Sequence, residues 1–274
     1  MADSTDERLA EPEAGITLMR MVDLCSESAG VCSGRGIILT VPRLMVTDNS
    51  GSNPLTMFSQ MTMSRREEAY ERVLEAIVFG DLAPGSAVDE KGLAQSFDIG
   101  LAGIRDALAR LEIEGMVERQ PRIGTKIAAL GVRELQDLYE MRVMVEPVAA
   151  NMAAKRAEDL DIRKLLDLGK RYREIVKTRN IRELVGVDQQ FHRSVAAATK
   201  NAFLERQITV LSNNALRFWY ANSPRMTDQA RRENLADHLE VIAAIQRRDA
   251  EGAERAMRHL LSEFPKFVDF RRKN

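Results

Sequence analysis

From Ser64 onward the apolar positions of this chain recur with a helical period, and before Ser64 they show no sustained period at all. The segment SRREEAYERVLEAIVFGDLAPG opens on a serine followed by acidic residues, a helix-start signal. It then places Tyr70, Val73, Leu74 and Ile77 on one stripe. Gly80 closes that helix and Pro84-Gly85 make a turn. VDEKGLAQSFDIG reads as a short helix ending by Gly100, and LAGIRDALARLEIEG as a longer one that stops at Gly115. MVERQPRIGTKIAAL then predicts two short strands around a Pro121–Gly124 turn. Three helices and a hairpin over 64–130 describe a winged helix-turn-helix.

The pattern from Val132 is helical throughout. One helix starts on Leu135, Leu138, Met141 and Val145, and others follow at about 160–178, 181–198, 201–222, 227–247 and 249–270. Six helices over 131–270 predict an all-α bundle. The fold class is therefore mainly α, a winged helix-turn-helix followed by a six-helix bundle. Residues 1–63 are broken by ESAGVCSGRG and TDNSGSNP and hold one short apolar run, GIILTVPRLMV. They are expected to be disordered, or an extension upstream of the true start.

Composition sharpens this picture in three ways. Aromatic residues make up only 5% of the 274, which favours helical packing over β-sandwiches. No apolar run approaches the ~20 residues of a membrane span, no signal peptide is evident, and Cys25 and Cys32 read as free thiols, so a cytoplasmic location is expected. Net charge is −1, and the segment 64–128 holds 9 basic against 12 acidic side chains. Any DNA binding must therefore rest on local placement of cations rather than on overall charge.

The chain has 3 histidines, and all of them fall where one metal ion could collect them. His192 follows Asp188 by four residues and so shares a helix face with it. His238 and His259 each lie about ten residues from a turn near Arg248-Asp249, roughly 15 Å along their helices, so an antiparallel hairpin sets them level. Three imidazoles and a carboxylate suit a divalent ion, zinc first, with nickel, manganese or iron also compatible.

Several spaced segments resemble the GntR family of transcriptional regulators, in its FadR-like group with an FCD ligand-binding domain. In the first domain these are VLEAIVFGDLAPGSAVDEKGLAQSF and IRDALARLEIEGMVERQPRIGTKI; in the second, DLYEMRVMVEPVAANMAAKRA, VDQQFHRSVAAATKN and DHLEVIAAIQRRDAEGAERAMRHLL. The resemblance covers about 64–270. It implies a recognition helix in the major groove of operator DNA, with Arg105 and Arg110 on that helix and Arg122 and Lys126 on the wing as DNA contacts. It assigns Asp188, His192, His238 and His259 as metal ligands, and Arg142 as the partner of an effector carboxylate. Asn213, Asn214 and Arg217 are expected to line the same pocket. What it implies overall is a cytoplasmic, homodimeric, metabolite-responsive repressor that is not an enzyme, its partners being double-stranded DNA and a small organic acid.

Two departures stand out. The recognition helix opens on Gly100-Leu101-Ala102-Gly103, where the family has a Ser-Arg-Thr-Pro-like stretch. Its N-cap hydroxyl is gone and Leu101 stands in place of a cation, so DNA recognition is expected to be weakened, altered in sequence preference with Leu101 making an apolar contact, or lost. His259 sits one residue early, in MRHL rather than MRxHL, and one residue turns a helix by about 100°. An effector-binding protein without DNA recognition and a metalloenzyme are the rival readings. The second is disfavoured because the chain has no HExxH and no further histidine to act as base.

Overall fold

A computed structural model describes residues 64–120, 122, 124–129, 131–223 and 226–263. The expectations for residues 1–63, and for the last helix beyond Glu263, lie outside these. Ser64 caps α1 (Arg65–Val78), its hydroxyl accepting from the Glu67 amide at 3.2 Å. α2 (Glu90–Ser96) is capped by Asp89, whose carboxylate accepts from the amides of Lys91 and Gly92. α3 (Leu101–Ile113) starts at Gly100 with no side-chain cap. The stripe of α1 meets Ile104, Ala107, Leu108 and Leu111 of α3, all buried.

β1 (Val117–Gln120) and β2 (Gly124–Ile127) pair antiparallel, with Val117 opposite Ile127 and Gln120 opposite Gly124. At the turn Gly124 adopts φ +106, a conformation open to glycine because it carries no Cβ. Helix-turn-helix and wing are thus both present.

The six-helix domain consists of α4 (Val132–Arg156), α5 (Asp159–Thr178), α6 (Ile181–Ala198), α7 (Ala202–Asn222), α8 (Asp228–Gln246) and α9 (Ala250–Glu263). α4 carries Pro147 in its interior. Proline has no N–H to give to the carbonyl four residues back, and Arg258 of α9 approaches that carbonyl, on Val143, to 3.5 Å. α8 and α9 form the expected hairpin. Arg248 takes the left-handed conformation at its turn, and Asp249 accepts from the Gly252 amide at 2.8 Å.

One apolar core runs from the winged domain into the bundle. It joins Tyr70, Leu74 and Leu108 to Leu135, Tyr139, Leu216, Phe218 and Trp219. Among the described residues no helix is long and apolar enough to cross a membrane.

Candidate metal centre and nucleic-acid interface

α6 is amphipathic, and its inner face carries Asp188 and His192 one turn apart, both buried. α8 brings in His238, which is 1% exposed. Ligating atoms of these three residues all lie within 4.8 Å of one another. His238 Nδ1 lies 2.7 Å from the backbone carbonyl of Asn234. A carbonyl only accepts, so Nδ1 carries a proton, and Nε2 lies 3.1 Å from Asp188 Oδ1. His192 repeats the arrangement: Nδ1 donates to Glu146 Oε2 at 2.6 Å, and Nε2 lies 3.9 Å from Asp188 Oδ2. Both imidazoles therefore turn their Nε2 toward one carboxylate while an oxygen acceptor fixes the other nitrogen. Metal-binding histidines are held in this way.

α4 completes the cluster. Arg142 donates to Glu146 through Nε and to Tyr139 through Nη1, the latter at 3.2 Å. Its Nη2 lies 3.2 Å from His192 Nε2. Burial raises the Glu146 carboxyl, but Arg142 and His192 outweigh it and bring it to about 2. Burial opposes ionisation of Asp188 too, and contacts with His238, His192 and Arg142 still hold it below the ordinary aspartate range. One guanidinium, that of Arg142, thus stands beside two buried carboxylates and two buried imidazoles. Tyr172 and Phe191 wall the cluster off, their rings 4.9 and 4.6 Å from that of His238.

His259 does not join this cluster. It is level with His238 along the hairpin, as its spacing predicts, but its side chain is 62% exposed and its Nε2 lies 3.6 Å from Asp237 Oδ1. Met257 and Leu260 occupy the buried positions of α9. The missing residue before His259 rotates the imidazole off the inner face. Sequence reasoning missed Tyr139 and Glu146 as members of the cluster. Glu146 was signalled by standing four residues after Arg142, a pairing that reads as a surface ion pair until burial is known.

Asn213, Asn214 and Arg217 also lie elsewhere than expected. They sit where α7 meets the winged domain. Asn213 is fully buried and donates to Tyr70 Oη at 3.0 Å. Asn214 donates to the backbone carbonyl of Glu114 at 2.9 Å. Arg217 donates to the carbonyl of Ala128, and its burial without a carboxylate partner lowers its pKa to about 10. α7 turns these polar residues toward the joint, and no periodicity in the sequence says which neighbour that face meets.

On the winged domain, Arg105 projects from α3 with its side chain 60% exposed and paired to Glu90 at 2.8 Å. It lines a cleft with Arg119, Gln120 and Gly124 of the hairpin. Arg119 was not among the expected contacts; its signal is a cation on the strand that leads into the wing turn. Arg122 is exposed on the wing, and Lys126 is half-buried opposite Glu118. Arg110 corrects the expectation. Its guanidinium stacks 3.5 Å above the Tyr70 ring and pairs with Glu67 and Glu114, so it faces α1 and the joint. Leu101 is half-buried.

Comparison with known proteins agrees with this architecture. Residues 65–127 match the model for bacterial regulatory proteins of the gntR family, and residues 137–263 match the FCD domain. The Nta operon transcriptional regulator of Aminobacter aminovorans is 27% identical over 188 residues, covering 68% of this chain and 86% of its own. The HTH-type transcriptional repressor RspR of Escherichia coli is 22% identical, covering 76% and 90%. Among solved structures, E. coli McbR/YncC superposes with a TM-score of 0.67 at 18% identity, over 75% of this chain and 97% of that one. These relatives are transcriptional regulators and not enzymes. Their two domain models, matched in this order on a winged helix and a six-helix domain, make this chain a transcriptional regulator of the GntR family with an FCD domain.

Proposed function

We propose that this regulator is a cytoplasmic, homodimeric repressor whose helical domain holds a divalent metal and a small organic acid. The observation that carries the metal is the pair of imidazoles with Nδ1–H tied to oxygen and Nε2 aimed at Asp188. Asp188, His192 and His238 would hold the ion, with Glu146 and the Asn234 carbonyl orienting the rings. An ion held by three protein ligands supplies open positions for an anionic effector. Arg142 would meet the effector's carboxylate, since a guanidinium offers two parallel donors, and would have to turn from its buried pairing with Glu146 to do so.

DNA contact would fall to Arg105, Arg119, Arg122 and Lys126 around the cleft between α3 and the hairpin. The homodimer reading is supported by α4, which leaves Met141, Met144 and Val148 exposed at 47%, 57% and 46% along one side. Effector binding would shift the population of dimer geometries and so the spacing of the two recognition helices on operator half-sites.

The test is elemental analysis of chelator-free protein, with about one divalent ion expected per protomer as for a buried three-ligand site. A metal-free preparation that also fails to take up zinc would overturn the metal reading. The competing view, an effector-binding protein without DNA recognition, has one observation in its favour. α3 has no N-cap side chain, and its exposed Arg105 and Asp106 are already engaged by Glu90 and Arg66. A gel-shift assay with the DNA upstream of its own gene separates the two.

A further inference from the structure

On the helix that carries Asp188 and His192, the very next residues reach toward the DNA-binding domain, Arg193 directly and Gln189 through Asn213 of α7. Gln189 Nε2 and Arg193 Nη2 both donate to Asn213 Oδ1, at 2.9 and 3.0 Å. Asn213 Nδ2 donates to Tyr70 Oη at 3.0 Å, and Tyr70 donates to Glu114 Oε2 at 2.6 Å. Glu114 is the C-cap of α3 and accepts from Arg110. Arg193 also reaches Glu71 of α1 at 3.0 Å. An unbroken line of hydrogen bonds therefore runs from α6, through one buried amide, to the first helix and the recognition helix of the winged domain.

Two physical features make this line responsive. Successive residues on a helix point about 100° apart, so α6 presents its ligand pair on one face and its joint pair on the next. A rotation of α6 by about 10° moves atoms at its rim, about 5–6 Å from the axis, by about 1 Å. That takes a 2.9 Å hydrogen bond past its useful range. Asn213 is fully buried, so an amide that loses its donors has no water to turn to, and the joint switches rather than stretches. The joint is also incompletely satisfied. Among the described residues, Glu71 Oε2, Arg193 Nε and Arg217 Nε, whose side chains all cross this contact, are buried without a hydrogen-bond partner in the protein.

We propose that Asn213 is a positioning residue for DNA binding: it couples the orientation of α6 to that of α1 and α3, so that events at Asp188 and His192 reach the recognition helix. The physiological trigger rests on the metal reading above; the coupling itself does not.

Hydrogen–deuterium exchange on the full chain tests it, with α6 perturbed in two ways: zinc against chelator, and Asp188→Ala without metal. In the native joint each perturbation should change exchange in 65–78 and 110–115 by at least about threefold, alongside the change in α6. In Tyr70→Phe and in Asn213→Ala the α6 change should persist while the winged-domain change falls below about 1.5-fold. Tyr70→Phe removes a single oxygen and keeps the ring beneath Arg110, so it carries the test alone if Asn213→Ala does not fold. An undiminished winged-domain response in the variants overturns the proposal. So does a native chain in which α6 responds and 65–78 does not. If zinc leaves α6 unchanged while Asp188→Ala still moves 65–78, the metal reading falls and the coupling stands.

Discussion

Each domain of this regulator holds an arginine, a glutamate four residues later and a tyrosine, and the two trios behave differently. In α4, Arg142 and Glu146 are 4% and 1% exposed in their side chains, and Tyr139 accepts from the guanidinium. At the end of α3, Arg110 is 44% and Glu114 8% exposed, with Tyr70 stacked under the cation and donating to the carboxylate. The same local spacing gives a sealed ion pair in one case and a half-open bracket in the other. The sealed pair orders His192 and with it the candidate metal centre; the open one ties the recognition helix to α1 and, through Tyr70, to the joint. Sequence spacing sets the pair, and its surroundings set what the pair is worth.

The largest test of that contrast is to break each pair. Arg142→Met should lower the free energy of unfolding by about 3–5 kcal/mol, because it strands a buried carboxylate. Arg110→Ala should cost no more than about 2 kcal/mol, an exposed ion pair plus a stacked cation. Urea titrations of chelated protein decide, and equal losses would erase the distinction.

The sealed pair should also carry a pH signature. Glu146 titrates near 2 in the folded protein against an ordinary value of 4.5. A depressed carboxyl stabilises the fold fully above its unfolded value, and that contribution is lost as pH falls from 4.5 toward 2. Glu146→Gln should flatten unfolding midpoints measured across this window, and a variant as acid-sensitive as the native chain would place the effect on other groups.

Metal affinity sharpens the comparison between the two hairpin histidines. His238→Ala should weaken zinc binding by at least about a hundredfold, more than loss of an orienting partner does, whereas His259→Ala should stay within about twofold. Competition titration against a chromophoric chelator reads both, and a large loss for His259 would put it back among the ligands.

Smaller effects are expected on the open side. Arg105→Ala should flatten the salt dependence of DNA binding by roughly 0.9 in log–log slope, while Arg110→Ala leaves the slope unchanged because its guanidinium faces Tyr70. Gly100→Ser should add about a few tenths of a kcal/mol through a new N-cap. Nothing lies within 4 Å of a Cβ there, while one at Gly103 would come 3.1 Å from Ile99, so only the first substitution isolates the cap. Thermal melts that move down for Gly100→Ser would show that the uncapped start is needed.

Much of this was legible in the chain alone. The helix start at Ser64, the stripe of Tyr70, Val73, Leu74 and Ile77, and the turn at Arg248-Asp249 are local signals, and they gave the order and type of the elements. The spacing of Asp188 and His192 put two ligands on one face, since a helical period fixes angles within a single helix. What that period leaves open is which neighbour each face meets. His259 has the right height and the wrong azimuth, Asn213 faces the winged domain instead of the ligands, and Arg110 closes onto Tyr70 instead of projecting outward. Tertiary packing decided all three, because the burial of whole apolar stripes, worth far more than any one polar contact, sets how each helix is rotated against its neighbours.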